Sequence, residues 1–368
     1  MGFLKQKPKF YSLNKILEQN AQHNIIIGER SNGKTYSCLK YALEQYVANG
    51  GQLGLVRRWA DDFKGKRGQQ MFDGLVSNGE IEKITNGQWT DIYYYSSRWF
   101  FSKWDELGKR VTAPEPFAYA FSVGAMEHDK STSYPNIRTI IFDEFLTRGM
   151  YLPDEFVLFM NVISTIVRYR TDVKIFMLGN TVNKYCPYFK EMGLEHIEQM
   201  QQGTIDLYKY GESDLRVAVE YCEQANKQGK PSDVYFAFNN AKLSMITGGV
   251  WEMDLYPHCP VKYIPKEILF TYFIVFNNDI LQCEIVQHDD LLFTFIHRKT
   301  TPLKNENDDL IYSLDYKPRT NWRRNLIKPS LEIEHKIVWF FKNDKVFYQD
   351  NEVGEIVRNY IMTCKSMK

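Results

Sequence analysis

Hydrophobic and polar positions along the first half of the chain follow two alternating patterns. Short runs of apolar, often β-branched residues predict strands that are buried on both faces of a sheet. Between these runs, apolar residues recur at helical spacing. Such alternation is typical of an α/β sheet with helices on both faces. The predicted strands are Asn24–Ile27, Leu53–Arg57, Phe117–Val123, Ile137–Phe142 and Val173–Leu178.

Two helices and a hairpin complete the predicted elements of this half. Residues 36–46 carry aromatic and leucine side chains on one face, and Gly50-Gly51 ends the pattern. Residues 154–168 show the same period and predict a second amphipathic helix. Residues 92–95 and 99–101 are rich in aromatic side chains, which predicts an added hairpin.

The pattern changes after about residue 210. Residues 214–230 are polar and compatible with a helix, and they end in a Gly-Lys-Pro-Ser turn signal. Apolar runs at 270–276, 280–287 and 291–297 are separated by Asn/Asp turns and predict a β-meander, and residues 351–364 predict a closing helix. The predicted parts are an α/β domain over 1–210, a helical linker over 211–255 and a smaller α+β domain over 256–368.

A complete phosphate-loop motif, G-x-x-x-x-G-K-T, spans residues 28–35 between the first predicted strand and helix. A strand before the loop and a helix after it argue against a chance match in a glycine turn. In this context the loop N–H groups and the helix N-terminus face the same phosphate chain. Lys34 is expected at the β- and γ-phosphates of ATP, and the Thr35 hydroxyl at Mg²⁺. The predicted nucleotide contacts in this region are Gly28, Arg30, Ser31, Asn32, Gly33, Lys34, Thr35 and Tyr36.

Two carboxylates, Asp143 and Glu144, end the apolar strand that begins at Ile137. Ligands of open α/β sheets bind beyond the carboxyl ends of the strands, so both acids are expected in the same crevice as the phosphate loop. Asp143 would hold the Mg²⁺ shell, and Glu144 would deprotonate the attacking water. An Asp-Glu pair that merely begins a solvated turn is the alternative.

Further along, two polar features admit a structural and a functional interpretation. Arg168-Tyr169-Arg170 follows the second helix, where arginines either complement the helix dipole or face a neighbour's phosphate as an arginine finger. Spacing alone favours the dipole interpretation. Asn180 follows the strand at Val173–Leu178 and either senses the γ-phosphate through water or is a plain turn residue.

Three segments have the composition of a nucleic-acid contact. Residues 64–70 form a basic loop with two glycines, residues 127–133 mix hydroxyls with one lysine and two acids, and residues 319–325 combine arginines with a tryptophan. Composition alone favours mobile surface for residues 64–70 and a solvated linker with a packed tryptophan for residues 319–325. The candidate contacts in the first two segments are Lys64, Lys66, Arg67 and Lys130.

Composition limits the remaining possibilities. Among 368 residues the net charge is only +1, so contact with nucleic acid requires local basic patches rather than a whole-protein field. The six cysteines are scattered without C-x-x-C pairs, which fits a reducing cytoplasm better than zinc or disulfides. The chain has no apolar run of the roughly 18 residues that a membrane span needs, so no membrane role is expected.

Taken together, these segments resemble the genome-packaging motor ATPases of small podovirus-type tailed phages, ring-forming P-loop proteins with an additional central strand and a catalytic glutamate. The resemblance spans most of the chain and is weaker in the second half. The segments that carry it are 27–36, 55–58, 131–145 and 167–180, of which 133–145 is the most specific.

The resemblance implies a ring, expected to be a pentamer, that docks on a procapsid portal in the host cytoplasm and pumps double-stranded DNA with ATP. A structural RNA is a further candidate partner. By position, Arg168 matches the finger that enters the neighbouring site, and Lys130 matches a basic position facing DNA or the next subunit. The second domain would be ribonuclease-H-like without catalytic carboxylates. One departure is Ala60, near which the family can place a lysine; a trans-acting role there would pass to Lys64 or be absent.

Two other classes of function compete with this interpretation. A nucleotide or small-molecule kinase would also carry a phosphate loop, but Glu144 would then lack a clear role. A non-catalytic ring component that binds nucleic acid would carry the loop only for structure.

Overall fold

The computed structural model divides the chain into two compact units, which comprise residues 1–148 with 154–252, and residues 149–153 with 253–368. The longer segment of the second unit begins at residue 253, close to the predicted domain start at residue 256. The residues that the structure describes are 10–128, 133–149, 151–152, 154–182, 186–223, 251, 255–276, 279–315 and 317–367.

A large mixed sheet forms the centre of the first unit, and its strand order is β3-β4-β6-β2-β7-β8-β1-β10-β9, with β5 beside β4. The strands from β6 to β10 in this order run parallel to one another, whereas β3, β4, β5 and β9 pair antiparallel at the edges. The strands are β1 His23–Gly28, β2 Gln52–Arg57, β3 Asp91–Tyr95, β4 Arg98–Trp104, β5 Arg110–Thr112, β6 Ala118–Ser122, β7 Ile137–Asp143, β8 Lys174–Asn180, β9 Ile205–Lys209 and β10 Arg216–Tyr221.

The strands predicted from apolar runs are confirmed as β1, β2, β6, β7 and β8. The nearly continuous burial of β1, β2, β7 and β8 explains why these runs lack alternation. The predicted hairpin is confirmed as β3 and β4, whose turn residues Ser96 and Ser97 both have positive φ angles, 48° and 59°. Two such residues in a row match the twist of a tight hairpin. Strand β8 lies between β1 and β7, so an additional strand separates the phosphate-loop strand from the strand that ends in Asp143.

Helices cover both faces of this sheet, as predicted. On one face the Tyr41 ring of α2 meets Phe176 edge-on at 5.5 Å between centroids, and on the other the Phe159 ring of α6 lies 4.7 Å from Phe142. The helices are α1 Asn14–Leu17, α2 Lys34–Asn49, α3 Lys66–Gln70, α4 Asp73–Ser77, α5 Glu80–Ile84, α6 Glu155–Val167 and α7 Pro187–Glu191.

The prediction of a helical linker over 211–255 is wrong where the structure describes it. Residues 216–221 form β10, which pairs in parallel with β1, and its side chains from Val217 to Val219 are buried. Glu220, one of the polar residues of the predicted helix, is buried and accepts a hydrogen bond from Tyr11. Burial beside β1 outweighs the helix-compatible composition, since tertiary context overrides propensity. Residues 224–250 of the predicted linker lie outside the described residues.

A second mixed sheet forms the core of the second unit, in the order β15-β14-β11-β12-β13-β16. The predicted meander is confirmed as β11–β13, and the closing helix as α9, whose Tyr360 packs on Phe276. Ribonuclease-H-like similarity stays a prediction. Within the described ranges, no helix combines the length and hydropathy of a membrane span. The elements are β11 Ile268–Phe276, β12 Asp279–His288, β13 Leu291–Arg298, β14 Ile311–Ser313, β15 Trp322–Arg323, α8 Glu332–Lys342, β16 Val346–Tyr348 and α9 Asn351–Ser366.

Candidate nucleotide site

The phosphate-loop residues connect β1 to α2 in a conformation that depends on glycine. Gly33 has a φ of 94°, which side chains rarely adopt, and it directly precedes the first turn of α2. A Cβ at Gly28 would lie 2.9 Å from the Cβ of Cys222, so a larger residue would displace the strand end. The glycines therefore allow a tight loop whose backbone turns over the N-terminus of α2.

Lys34 lies inside this loop, with only 5% of its surface exposed. Its Nζ donates to the Glu29 carbonyl oxygen and to Asn180 Oδ1, both at 2.8 Å. Burial lowers the pKa of Lys34, although nearby acidic groups oppose the shift. A buried ammonium held by neutral oxygens fits a site for an anion, because a phosphate chain would supply the missing negative charge.

Thr35 and Asp143 bring two oxygen ligands together across the crevice. The Thr35 hydroxyl donates to Asp143 Oδ1 at 3.3 Å, and the Asp143 side chain is buried. Burial raises the pKa of Asp143, and the Arg57 cation opposes that rise. A hydroxyl and a carboxylate are ligands that Mg²⁺ prefers, and a divalent cation would favour the ionised carboxylate. These residues therefore fit Mg²⁺.

Arg57, the last residue of β2, joins the two acids at the end of β7. Its guanidinium contacts Asp143 Oδ2 at 2.9 Å and Glu144 Oε2 at 2.6 Å. Glu144 itself has a φ of 60°, and its side chain is 62% exposed, so it is accessible to solvent at the strand end. Sequence reasoning missed this role of Arg57 because it did not reveal that β2 and β7 are neighbours.

A second missed group lies behind the acids. The buried side chains of Arg58 and Glu155 form a two-point ion pair, with contacts of 2.8 and 2.9 Å. The Tyr188 hydroxyl donates to the same carboxylate at 2.9 Å. These residues come from the end of β2, the start of α6 and α7, so only the fold unites them.

Tyr11, in the segment before α1, forms hydrogen bonds with the phosphate loop and with its neighbouring elements. The Tyr11 N–H donates to the Asn32 carbonyl oxygen at 2.9 Å, and the Ser37 hydroxyl donates to the Tyr11 carbonyl oxygen at 2.7 Å. The Tyr11 hydroxyl reaches Glu220 Oε2 at 2.6 Å. One residue thus links the loop, α2 and β10, and no local sequence signal marked it.

The remaining loop residues predicted to bind the nucleotide have different surroundings. Arg30 and Ser31 are exposed at the tip of the loop, whereas the buried Asn32 accepts from the Lys34 N–H at 3.2 Å. The Tyr36 side chain points toward the end of α4, where its hydroxyl accepts from Asn78 at 3.2 Å. Any contact of Tyr36 with phosphate would therefore use its backbone N–H.

The two arginines after α6 differ in their surroundings. Arg170 donates to the carbonyl oxygens of Ile166, Tyr134 and Pro135, at 2.8, 3.3 and 2.9 Å, so it ties the end of α6 to the segment before β7. Arg168 is exposed and has a φ of 52°. Of the pair, Arg168 remains the candidate for contact with a neighbouring molecule.

The basic segment near residue 64 is more ordered than a glycine-containing loop suggests, because residues 66–70 form α3. The Trp99 indole donates to the Gly68 carbonyl oxygen at 2.8 Å, and Gln69 bonds the backbone of β3. The anchored segment exposes Lys64, Lys66 and Arg67, and Lys64 pairs with Asp61 at 2.6 Å. Lys130 lies outside the described residues.

The fold and the site define a class: a P-loop protein with an additional strand between β1 and β7 and two acids at the end of β7. Sequence comparison adds the family. The chain belongs to the family described as Podovirus DNA encapsidation protein (Gp16), which it matches over residues 5–85 and 107–251.

Individual relatives and solved structures agree with this assignment. The chain is 28% identical to the DNA packaging protein of Bacillus phage phi29 over 189 residues, 50% of each sequence. It is 28% identical to that of Bacillus phage B103 over 174 residues, 46% of this chain and 48% of the relative. The chain thus spans about half the length of these curated relatives.

Structural comparison covers nearly the whole chain. The bacteriophage Phi-29 viral genome packaging motor assembly matches with a TM-score of 0.58 and 19% identity, over 97% of this chain and 99% of the other. The Phi-28 gp11 DNA packaging motor matches with a TM-score of 0.55 and 18% identity, over 97% and 98%. At these identities the matches establish the shared fold.

Proposed function

We propose that this protein is an ATP-driven motor that moves double-stranded viral DNA into a procapsid as part of a ring. Family membership supports the DNA-packaging part of the proposal. The observation that carries the ATPase part is the meeting of Lys34, Thr35, Asp143 and Asn180 at adjacent strand ends, with Glu144 beside them.

Within the site, each residue has a task that its position supports. The loop N–H groups and Lys34 bind the β- and γ-phosphates, while Thr35 and Asp143 hold Mg²⁺. When bound, Mg²⁺ would neutralise charge on the phosphate oxygens. Glu144, exposed at the strand end, orients a water and accepts its proton. Asn180, already bonded to Lys34, lies where it can respond to the γ-phosphate through water.

A ring explains the exposed arginine after α6. In this proposal Arg168 of one subunit enters the nucleotide site of its neighbour and stabilises charge in the transition state. Five subunits are the expected number, docked on the procapsid portal in the host cytoplasm, with a structural RNA as a further partner. One matched structure is described as a packaging motor assembly and the other as a DNA packaging motor, which supports a multi-subunit arrangement.

Contact with DNA is assigned to the exposed cations near α3. Lys64, Lys66 and Arg67 lie on one anchored segment, so they can present charge to a phosphate backbone without sequence preference. Lys130 completes the proposed set.

Phosphate release from ATP, measured with and without double-stranded DNA, tests the proposal. A motor hydrolyses ATP, and DNA raises the rate. A kinase transfers the γ-phosphoryl group to an acceptor, so labelled ATP yields a phosphorylated product that DNA does not influence. A non-catalytic ring component binds DNA and releases no phosphate. Either of the last two results would overturn the proposed function.

A further inference from the structure

The turn that carries Glu144 has an unusual backbone. Glu144 occupies the left-handed region, with a φ of 60°, and its N–H donates to Asp143 Oδ1 at 3.0 Å. For a residue other than glycine this conformation is unfavourable and persists only where surrounding contacts enforce it. The direction of the Glu144 side chain therefore depends on what holds the turn, as well as on its ion pair with Arg57.

One guanidinium holds the carbonyl groups of this turn. Arg58 donates to the Glu144 carbonyl oxygen at 3.3 Å and to the Phe145 carbonyl oxygen at 2.7 Å. On its other side the Phe145 N–H donates to the Leu178 carbonyl oxygen at 3.2 Å, which ties the turn to β8. The peptide that orients Glu144 is thus fixed between Arg58 and the neighbouring strand.

The guanidinium is itself fixed by a buried partner. Its side chain is 7% exposed, that of Glu155 is 0% exposed, and the two-point contact sets the plane of the guanidinium. The Tyr188 hydroxyl occupies a further position on the same carboxylate. We call Arg58, Glu155 and Tyr188 together the clamp. Because Glu155 is the first residue of α6, the clamp also anchors the helix that leads to Arg168.

We propose that Arg58 is a positioning residue for ATP hydrolysis. Together with Glu155 and Tyr188, it holds the turn in the conformation that orients the Glu144 side chain for hydrolysis. The proposal rests on the proposed function, in which Glu144 is the general base. A positive charge alone would not replace Arg58, because the contacts depend on the planar fork of the guanidinium. One side of the fork meets the Glu155 carboxylate, and the other meets two carbonyl oxygens.

The test removes the clamp without leaving an unpaired buried charge. A triple variant, Arg58→Met with Glu155→Leu and Tyr188→Phe, replaces the three groups with apolar side chains of similar size. We expect binding of a fluorescent ATP analogue to stay within about twofold, while single-turnover hydrolysis falls by about tenfold to a hundredfold, the range that a misplaced catalytic group causes. Arg58→Lys keeps the charge but loses the fork, and it should behave like the triple variant.

Two comparisons separate positioning from stability. Arg298→Met with Asp279→Leu removes a 2.6 Å ion pair from the second unit and should leave hydrolysis unchanged. Adding the triple substitution to Glu144→Gln should cause no further loss, because residues that act through one group are non-additive. Thermal unfolding is measured for each variant. If the triple variant does not fold, Tyr188→Phe, which keeps both charges, should lower hydrolysis about twofold to fivefold without weakening ATP binding.

Parental hydrolysis by a folded triple variant and by Arg58→Lys would overturn the clamp proposal. A further loss in the Glu144→Gln background would also overturn it. Failure of the proposed function is distinguishable, since in that case the parental protein itself would release no phosphate from ATP. Hydrolysis by Glu144→Gln at the parental rate would show instead that Glu144 is not the base.

Discussion

Two buried carboxylates, one in each unit of this protein, differ in how their surroundings affect the charged form. In the first unit Asp143 faces a crevice, and burial raises its pKa in spite of Arg57. In the second unit Glu284 is buried in its sheet, where the Tyr263 hydroxyl and the Gln282 amide bond it at 2.5 and 2.6 Å, and His297 contacts it at 3.4 Å. Burial acts against Glu284 too, but hydrogen bonds from His297, Tyr263 and Gln282 lower its pKa.

This difference separates a ligand site from a structural cluster. Glu284 is stabilised in its charged form by its own neighbours, so it contributes to folding. Asp143 and Lys34 are both disfavoured as ions by burial, which a bound cation and a bound phosphate would relieve. The unit with the less satisfied charges is the one expected to bind a charged ligand.

The largest effect is expected from Lys34→Ala. The variant should lose ATP turnover entirely and bind the nucleotide more weakly, because Lys34 is expected at the β- and γ-phosphates. Lys40→Ala is the matched control: Lys40 lies on the same helix but pairs with Glu80 at 2.8 Å. Phosphate release by Lys34→Ala at the parental rate would mean that the loop is not the nucleotide site.

Arg168→Ala should lower hydrolysis by about 10³–10⁵-fold if it acts as a finger. Rings that mix this variant with Glu144→Gln subunits test whether it acts in trans. Some interfaces then combine an intact Glu144 with a neighbour's intact Arg168, so activity should partly return. No recovery in rings whose mixed composition is verified by native mass spectrometry would exclude action in trans.

Glu144→Gln should keep ATP binding and lower single-turnover hydrolysis by about 10²–10⁴-fold, because it preserves shape while removing the base. The matched control is Glu284→Gln, which alters the buried carboxylate of the second unit. That change should lower stability and leave hydrolysis intact. An equal loss of hydrolysis in both variants would erase the contrast between the two units.

Replacing Lys64, Lys66 and Arg67 with Ala should weaken binding to all double-stranded DNA sequences alike. Each lost phosphate contact should reduce the slope of log affinity against log salt by about 0.9, while ATP binding stays unchanged. Fluorescence anisotropy across a salt series measures both quantities. If the variant binds DNA with the parental affinity and slope, this segment does not contact DNA. Lys130 or the Arg323-Arg324 pair would then be the next candidate.

The smallest effect concerns pH and the second unit. The hydrogen bond to Glu284 raises the pKa of His297 above its usual 6.5, so its stabilisation is complete below about that pH and is lost as pH rises through the folded-state pKa. Thermal unfolding should therefore show a decline toward alkaline pH that His297→Gln reduces, by less than about 1 kcal/mol. The difference between the parental protein and His297→Gln is the readout, since the contact of His288 with Glu267 is present in both. If the parental protein and His297→Gln show the same dependence of thermal stability on pH, the contact between His297 and Glu284 does not contribute to stability.

Local signals predicted the parts of the site that lie on one continuous segment. The loop at 28–35 and the acids at 143–144 are such segments, and so are the apolar strands that carry them. Strand order is not local, so neither the ion pairs of Arg57 nor the contact of Arg58 with Glu155, 97 residues away in sequence, was predictable. Strand β10 was misread because the polar composition of residues 214–230 suggested a helix, whereas its neighbour β1 buries it.

The central claim is that ATP hydrolysis in the first unit drives DNA into a procapsid. The most direct measurement is the amount of double-stranded DNA that becomes protected from added nuclease when the protein, ATP and portal-bearing procapsids are combined. The account predicts ATP-dependent protection by the parental protein and none by Glu144→Gln, although both bind ATP. Equal protection with and without ATP, or full protection by Glu144→Gln, would contradict it.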